Sequence, residues 1–584
     1  TAKGDYMGKY SLKKLIRMPI ITLLAITLLS ASSFFFLTEL AIYHKSITEL
    51  DIASKYFTTI GTIRLSNTSE LLNKSFMGEL FGPDYADISL AEINPILESE
   101  YIEKVDIRSF LGAYLPDFEI INELKHFNSD EVFIEGTLLD REIKNDTLYG
   151  KMKVNNVLAS KEGMKPKEII DIEIDDYFYF REFMGFDIEK GHRYFCILTS
   201  NDGGKTYKNS RVSADCIVDI TDKDENYLEQ LDMEMIKEEI DNFKYNISNF
   251  NGIFTSDIDL IFPFYKGDMF ISSGRKFTQE EYDKGLNVCI ISQSLAKEYG
   301  LKPGDEIKIA FNNGILYADG RPLAVFTNTS ENVILPEKNF QIVGIYFNSN
   351  NDLLDIYNYN SDTIFFPKNS YPEELRKEVY SVSPYNLSFR LKSSKDISAF
   401  LSEVESMGLD DYEIVIEDKG FYHIENIFNI MKESAIPNLI IASVTALIIM
   451  IFIIYVYVTR QGHDFVVMRA MGTPVKTLVN FFLIIILVIA VAGILCGFLI
   501  CMVTIDDIIE KNYNEILSSL ENVQDIKGII SDSQYIFDNK VSLSVLALGS
   551  LSLLTVFIAI GLIQIKHITN RPILSLLGER RFKR

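Results

Sequence analysis

The sequence predicts a membrane α-helical protein with four transmembrane helices and a large α+β extracytoplasmic domain that contains an inserted β-rich subdomain. Three observations predict it. Residues 18–38, 439–458, 477–505 and 541–565 contain no charged side chain. Each is 20 residues or longer, enough to cross a hydrocarbon core of roughly 30 Å as a helix. A helix also satisfies its own backbone hydrogen bonds, as lipid requires. The third observation is that nearly 400 residues, about 44–432, separate the first run from the rest and carry much of the charge.

Taken in order, residues 1–17 form a basic, amphipathic cytoplasmic segment ahead of the first span, 18–43. Lys13, Lys14 and Arg17 precede that span as they would a signal peptide. Phe34, Phe35 and Phe36 stand where small residues would mark cleavage, so the span reads as retained. The extracytoplasmic domain follows at 44–432, then a second span at 435–459, a cytoplasmic connection at 460–476 and a third span at 477–505. An outer loop at 506–540, a fourth span at 541–565 and a cytoplasmic tail at 566–584 complete the chain. Positive charge sets this orientation. The two tails and the 460–476 connection hold 14 basic and 3 acidic residues, against 43 basic and 78 acidic elsewhere. The composition looks bacterial, so the bacterial cell (plasma) membrane is the expected location, with both termini cytoplasmic.

Composition excludes several classes. The chain has 584 residues and a formal net charge of −24, which argues against nucleic acid as a partner. Five Cys in such a length make no disulfide scaffold. The spans carry no Asp, Glu, Lys, Arg or His at mid-depth, with Glu39 at the outer end of the first. Proton relays and ion-coupled carriers need such groups, so any energy for movement comes from elsewhere. Within the third span, Gly493 and Gly497 form a small-xxx-small pair suited to close helix packing, within one subunit or between two.

In the outer domain, residues 44–60 read as a helix leaving the membrane, and 57–63 begins a strand. Short β runs at 132–134, 150–154, 169–174, 194–199 and 216–220 predict a small inserted β domain over about 131–219, which a barrel would satisfy. Cys196 and Cys216 flank its Asn201–Gly204 turn and leave a disulfide open. Residues 223–250 read as helix, with Leu228, Leu231, Met235 and Ile236 on its apolar face. Strand and helix then alternate to about 417, and 421–433 is a helix entering the second span at Pro437.

Candidate catalytic and ligand motifs fail on spacing. Gly203-Gly204-Lys205-Thr206 ends like a phosphate loop, but Thr199 occupies the first glycine position, so it reads as a hairpin turn. Asp222-Lys-Asp224-Glu-Asn226 resembles a calcium loop with Tyr227 in the glycine position and Met233 in the bidentate glutamate position. The six His are never at ligand spacing, and no GxSxG elbow occurs. No catalytic, metal or cofactor site is expected in this chain.

The cytoplasmic connection reads Arg460-Gln-Gly-His-Asp464-Phe-Val-Val-Met-Arg469-Ala-Met-Gly472-Thr-Pro474. It predicts a short helix, stopped by Gly472 and Pro474, with Phe465, Met468 and Met471 in one stripe. Such a stripe docks a partner or lies in the lipid headgroup layer. This stretch resembles the FtsX-like permease signature, R-x-x-E-hydrophobic-x-x-hydrophobic-R-A-x-G, through Arg460, Arg469, Ala470 and Gly472. Asp464 replaces the usual Glu and keeps the carboxylate. The tail Arg571-Pro572-Ile573-Leu574-Ser575-Leu576-Leu577 is similar to the family's ending. In the outer domain, Ser273-Gly274-Arg275-Lys-Phe277, 288–291, Ser294-Leu295-Ala296 through Gly300-Leu301 to Gly304-Asp305-x-Ile307, then 340–345 and 364–367, look like a MacB-type periplasmic core domain in the same order.

The resemblance implies a permease subunit of a MacB-like ABC transporter. Such a subunit pairs with a cytoplasmic ABC ATPase dimer, where ATP and Mg reside, and with a second permease copy or a homologous permease. It implies that ATP-driven motion reaches the outer domain through Arg460, Asp464, Phe465, Met468, Arg469, Met471 and Gly472, for export or extraction of a peptide, lipid or drug-like substrate. Relatives that control a cell-wall hydrolase or a sensor kinase supply a regulatory alternative. An extracytoplasmic adaptor, hydrolase or peptide and the membrane lipid complete the implied partners.

Overall fold

The computed structural model describes residues 17–121, 130–200, 204–210, 216–224, 226–318, 321–324, 332–350, 359–376, 379–461, 467–469, 471–520 and 535–569. The chain divides into two units. One holds Thr1–Thr58, Ser393–Lys395 and Asp418–Arg584, and the other Thr59–Lys392 and Asp396–Glu417.

The first unit is built on four helices: α1 (Pro19–Tyr56), α2 (Phe421–Arg460), α3 (Val475–Ser519) and α4 (Leu543–Thr569). All four are long and apolar enough to cross a bilayer. Their outward stripes are what a bilayer requires. Ile440, Val444, Ile448 and Phe452 recur every four residues along α2 and are exposed, as are Leu487, Val491, Leu495, Leu499 and Val503 along α3. In water such faces would drive aggregation, whereas lipid solvates them. The inward faces meet in one core that contains no charged side chain and includes Leu29, Met450, Ile454, Phe481, Ile485, Ile489, Ala490 and Phe557. Between helices in lipid, close van der Waals fit does the work that water exclusion does elsewhere.

α3 continues as helix past its uncharged run to Ser519 because its sequence turns amphipathic there. Ile509, Tyr513 and Leu517 repeat at four-residue intervals and are buried. α2 is unbroken through Pro437, which enters at an interior position and removes one backbone donor.

The second unit is α+β. A four-stranded antiparallel sheet has the order Tyr412–Glu417, Ile60–Leu65, Leu387–Leu391, Ile102–Ile107. Helices Leu90–Leu97 and Ile397–Ser406 contribute Ile93, Ile96, Phe400 and Val404 to its core. Next to it in the chain, six strands close into a ring: Lys338–Asn348, Val288–Ser292, Thr363–Pro367, Asn249–Thr255, Ser109–Tyr114 and Glu306–Asn312, which pairs back to Lys338–Asn348. Met269–Gly274 pairs antiparallel with Lys338–Asn348 outside the ring. Alternate residues of these strands divide between two cores. Phe254, Ile291, Phe340 and Phe366 enter one, and Ile253, Ile290 and Phe365 the other. Burial on both faces explains the continuous apolar runs at these positions. Phe254, Phe311, Phe340 and Phe366 interlock with ring centroids 5.1–5.5 Å apart. Asp106, at the end of the four-stranded sheet, accepts from Arg108 Nη1 at 3.1 Å and from Thr255 Oγ1 at 2.7 Å, tying sheet to ring.

The inserted subdomain is a five-strand ring of Val132–Lys144, Thr147–Ala159, Ile169–Ile174, Thr206–Asn209 and Arg193–Thr199, with Ile217–Asp219 on the last strand's free edge. The first two strands are far longer than the runs 132–134 and 150–154 suggest. Charged residues such as Asp140, Arg141, Glu142 and Lys144 line the exposed end and hide the period. Asn145 and Asp146 join them in left-handed conformation, with φ of 51° and 64°, the pattern of the tight hairpin turns that match strand twist. Thr206 opens a strand that pairs antiparallel with Arg193–Thr199, so Gly204–Thr206 sits in a β context. Cys196 and Cys216 are both buried free thiols. Cys216 Sγ donates to the Ile197 carbonyl at 3.2 Å, and burial pushes the Cys196 thiol well above its ordinary value. The helix expected over 223–250 is confined to Glu234–Asn246. Its buried face is Ile236, Ile240 and Phe243, whereas Met235 is exposed.

Candidate coupling site

The segment between α2 and α3 begins where Gln461 Nα–H donates to the Tyr457 carbonyl at 3.1 Å and closes α2. Residues 467–469 are helical. The end of that turn has a specific geometry. Gly472 N–H donates to the Arg469 carbonyl at 3.1 Å, and Thr473 N–H donates to the Met468 carbonyl at 3.1 Å. This paired 5→2 and 6→1 bonding is a Schellman stop, and it places Gly472 at φ +85°. A side chain there would meet nothing within 4 Å, so the need for glycine is conformational rather than steric. Pro474 then caps α3, and its carbonyl accepts from Thr477 N–H at 3.0 Å.

The expected site residues separate. Arg460 is exposed at the end of α2 and Arg469 is half-buried. Met468 packs inward against the helix-bundle core, whereas Met471 is 74 % exposed. Asp464 and Phe465 lie outside the described residues, as do residues 1–16 and 570–584. The apolar face that the segment does expose is Val467, Met471 and Val475. Sequence reading missed Val467, although its i, i+4 spacing with Met471 marks one helical face, and Val475, which opens α3 beyond the stop.

Gly493 and Gly497 face α1 of the same chain. A Cβ on Gly493 would lie 2.8 Å from Leu29 Cβ, and one on Gly497 would lie 2.7 Å from the Ser30 carbonyl. One turn further, Cys501 Sγ is 3.8 Å from Thr38 Oγ1. Gly549 of α4 approaches Leu37 and Leu40 of α1 in the same way. Glycine thus lets α3 and α4 close on α1. Chemically, the described part of the segment offers exposed apolar side chains at Val467, Met471 and Val475 beside Arg469 and Lys476. Among the described residues, no group of three or more His, Cys, Asp or Glu is placed to hold a metal ion.

Two family models match the chain. The MacB-like periplasmic core domain matches residues 225–407, and the FtsX-like permease C-terminal matches residues 438–573. The second takes in the coupling segment and three of the four helices. A search of curated proteins returns no match. Among solved structures, the chain is similar to the periplasmic region of MacB from Actinobacillus actinomycetemcomitans, at 10% identity and a TM-score of 0.21, over 61% of this chain and 87% of that one. It is also similar to the extracellular domain of the noncanonic ABC-type transporter YknZ from Gram-positive bacteria, at 10% identity and a TM-score of 0.18, over 61% of this chain and 99% of that one.

Proposed function

We propose a mechanical role for this chain, which is an ABC transporter permease of the MacB/FtsX type: it carries ATP-driven motion from a separate cytoplasmic ATPase dimer to its outer domain. In this reading, the segment 460–476 meets the ATPase, aided by the leading segment near residues 10–17. Two permease copies act together, with both termini cytoplasmic. The outer domain exports or extracts a peptide, lipid or drug-like molecule.

One observation carries the reading. α1, α2 and α3 are continuous helices of 38, 40 and 45 residues. At 1.5 Å per residue they reach roughly 57, 60 and 68 Å, about twice the hydrocarbon thickness. Their uncharged runs at 18–38, 439–458 and 477–505 hold no Asp, Glu, Lys, Arg or His. Long stiff rods without a polar route suit transmission of force better than passage of a solute. The segment joining α2 to α3, with Val467, Met471 and Val475 exposed, suits a socket on a partner.

The test uses the permease and its ATPase together in vesicles. Met471→Asp places a charge in the centre of the exposed face, and Arg469→Glu reverses the flanking one. Each is expected to lower permease-dependent ATPase stimulation at least tenfold while the chain stays in the membrane. Wild-type stimulation in both variants would refute the assignment of this turn.

A further inference from the structure

Beyond its uncharged run, α1 carries charges that face inward. Glu49 and Lys45, one turn apart on α1, are only 1 % and 7 % exposed. Lys45 Nζ lies 2.8 Å from Glu49 Oε1. The other carboxylate oxygen, Glu49 Oε2, accepts a hydrogen bond from Tyr535 Oη at 2.9 Å. Tyr535 is itself 8 % exposed and belongs to the stretch 535–540, which has no regular secondary structure. A second carboxylate of that stretch, on Asp538, lies 3.7 Å from Lys45 Nζ.

The same few residues hold three helices. Tyr535 packs its ring on Tyr56 and Phe57 at the end of α1, with centroids 5.7 and 5.5 Å apart. Two residues on, Phe537 stacks on Tyr513 of α3 at 4.4 Å and contacts Phe428 of α2 at 5.6 Å. Asn539 Nδ2 donates to Glu510 Oε2 at 2.9 Å, and Val541 N–H donates to Asp506 Oδ1 at 3.3 Å. Packing alone would hold these rings in several registers. The buried carboxylate disfavours that, because a shift of one helical turn would take Glu49 from Tyr535 and leave it only Lys45, on its own helix.

We propose that residues 535–541 form a clasp that fixes the extramembrane ends of α1, α2 and α3 in one register, with Glu49 and Tyr535 as its positioning residues. This deepens the mechanical reading and rests on it for its purpose: rods that slide past one another transmit nothing. The clasp itself is a property of the chain alone.

The experiment places nitroxide labels on the full chain in phospholipid vesicles, at Ile47→Cys on α1 and Lys511→Cys on α3, both exposed. Exposed Cys496 is changed to Ser to prevent stray labelling. Dipolar spectroscopy reads the distance distribution between the labels. Tyr535→Phe removes only the donor to Glu49. Lys45→Met combined with Glu49→Gln keeps the site filled and uncharged, which guards against misfolding. Both are expected to widen the distribution at least twofold. Widths equal to the parent in both variants overturn the clasp. The measurement needs no ATPase, so it is independent of the transmission reading. A widened distribution with normal ATPase stimulation would sustain the clasp and refute transmission through it.

Discussion

Gly472 illustrates how one residue sets a boundary. Its left-handed φ of +85° closes the Schellman stop, and a Cβ there would meet nothing within 4 Å. The cost of substitution is therefore backbone strain alone. Gly472→Ala should destabilise the turn by roughly 1 kcal/mol, and Gly472→Asn by less, because Asn tolerates the left-handed region. Backbone amide exchange at 471–478 would show it, and equal protection in the Ala variant would contradict the assignment. Gly497 is the opposite case, a steric need. Gly497→Val must push against Ser30 and Ser33 of α1, and overpacking of this kind costs about 1–3 kcal/mol. A lowered thermal transition of the purified chain in detergent is expected. Both glycines were visible in the sequence for different reasons, one as a helix stop and one as half of a small-residue pair. The sequence left open which helix the pair meets, since spacing names a face and not its partner.

His192 is the residue that ties the edge strand of the inserted ring to pH. Its Nδ1 lies 2.8 Å from Asp219 Oδ2, and its Nε2 lies 3.7 Å from Glu189 Oε2. The hydrogen bond to Asp219 outweighs desolvation and raises the imidazole above its usual 6.5. Burial works to raise the Asp219 carboxyl, but the bonds from His192 and Thr221 prevail and lower it. The signs follow from linkage. The raised histidine contributes its stability fully below the unfolded value of 6.5 and loses it as pH rises through the folded value. The lowered aspartate contributes above 3.8 and loses its share as pH falls through its own. The pair is therefore strongest between those ordinary values. His192→Gln should flatten the decline of thermal stability as pH rises above 6.5. An unchanged slope would remove His192 from the account.

At the scale of elements, the long hairpin of Val132–Lys144 and Thr147–Ala159 depends on a two-residue turn in which both residues have positive φ. Asn145→Gly should be neutral or slightly stabilising, whereas Asn145→Val should cost about 1–2 kcal/mol, because a β-branched residue resists that conformation. Thermal unfolding compared between the two variants checks it. The spans and the individual strands were largely legible, since hydropathy and period are local. Ring closure was not. The six-strand ring closes through Glu306↔Gln341 and its neighbours, and the five-strand ring through the parallel pairing of Asp171 with Thr206. Partners that far apart leave no trace in a local period. The clasp was hidden for a related reason: Tyr535, which covers the i, i+4 pair Lys45 and Glu49, lies 486 residues beyond Glu49.

At the scale of the whole molecule, the features that fix family membership and those that fix fold are distinct. The expected permease signature lay in a short turn, part of which falls outside the described residues. The four-helix and α+β architecture rested on composition and period over hundreds of residues. The two agree, because the proposed transmission needs both an outer domain with its own cores and helices packed through an apolar core.

That apolar core has a further consequence. A charge carried across the full membrane does work of about 2.3 kcal/mol for each 100 mV, and helices with no ionisable group at mid-depth carry none when they shift. On the proposed mechanical reading the stroke of such a bundle is electrically silent, so discharging the membrane with an ionophore should leave its rate unaltered, provided nucleotide is held constant.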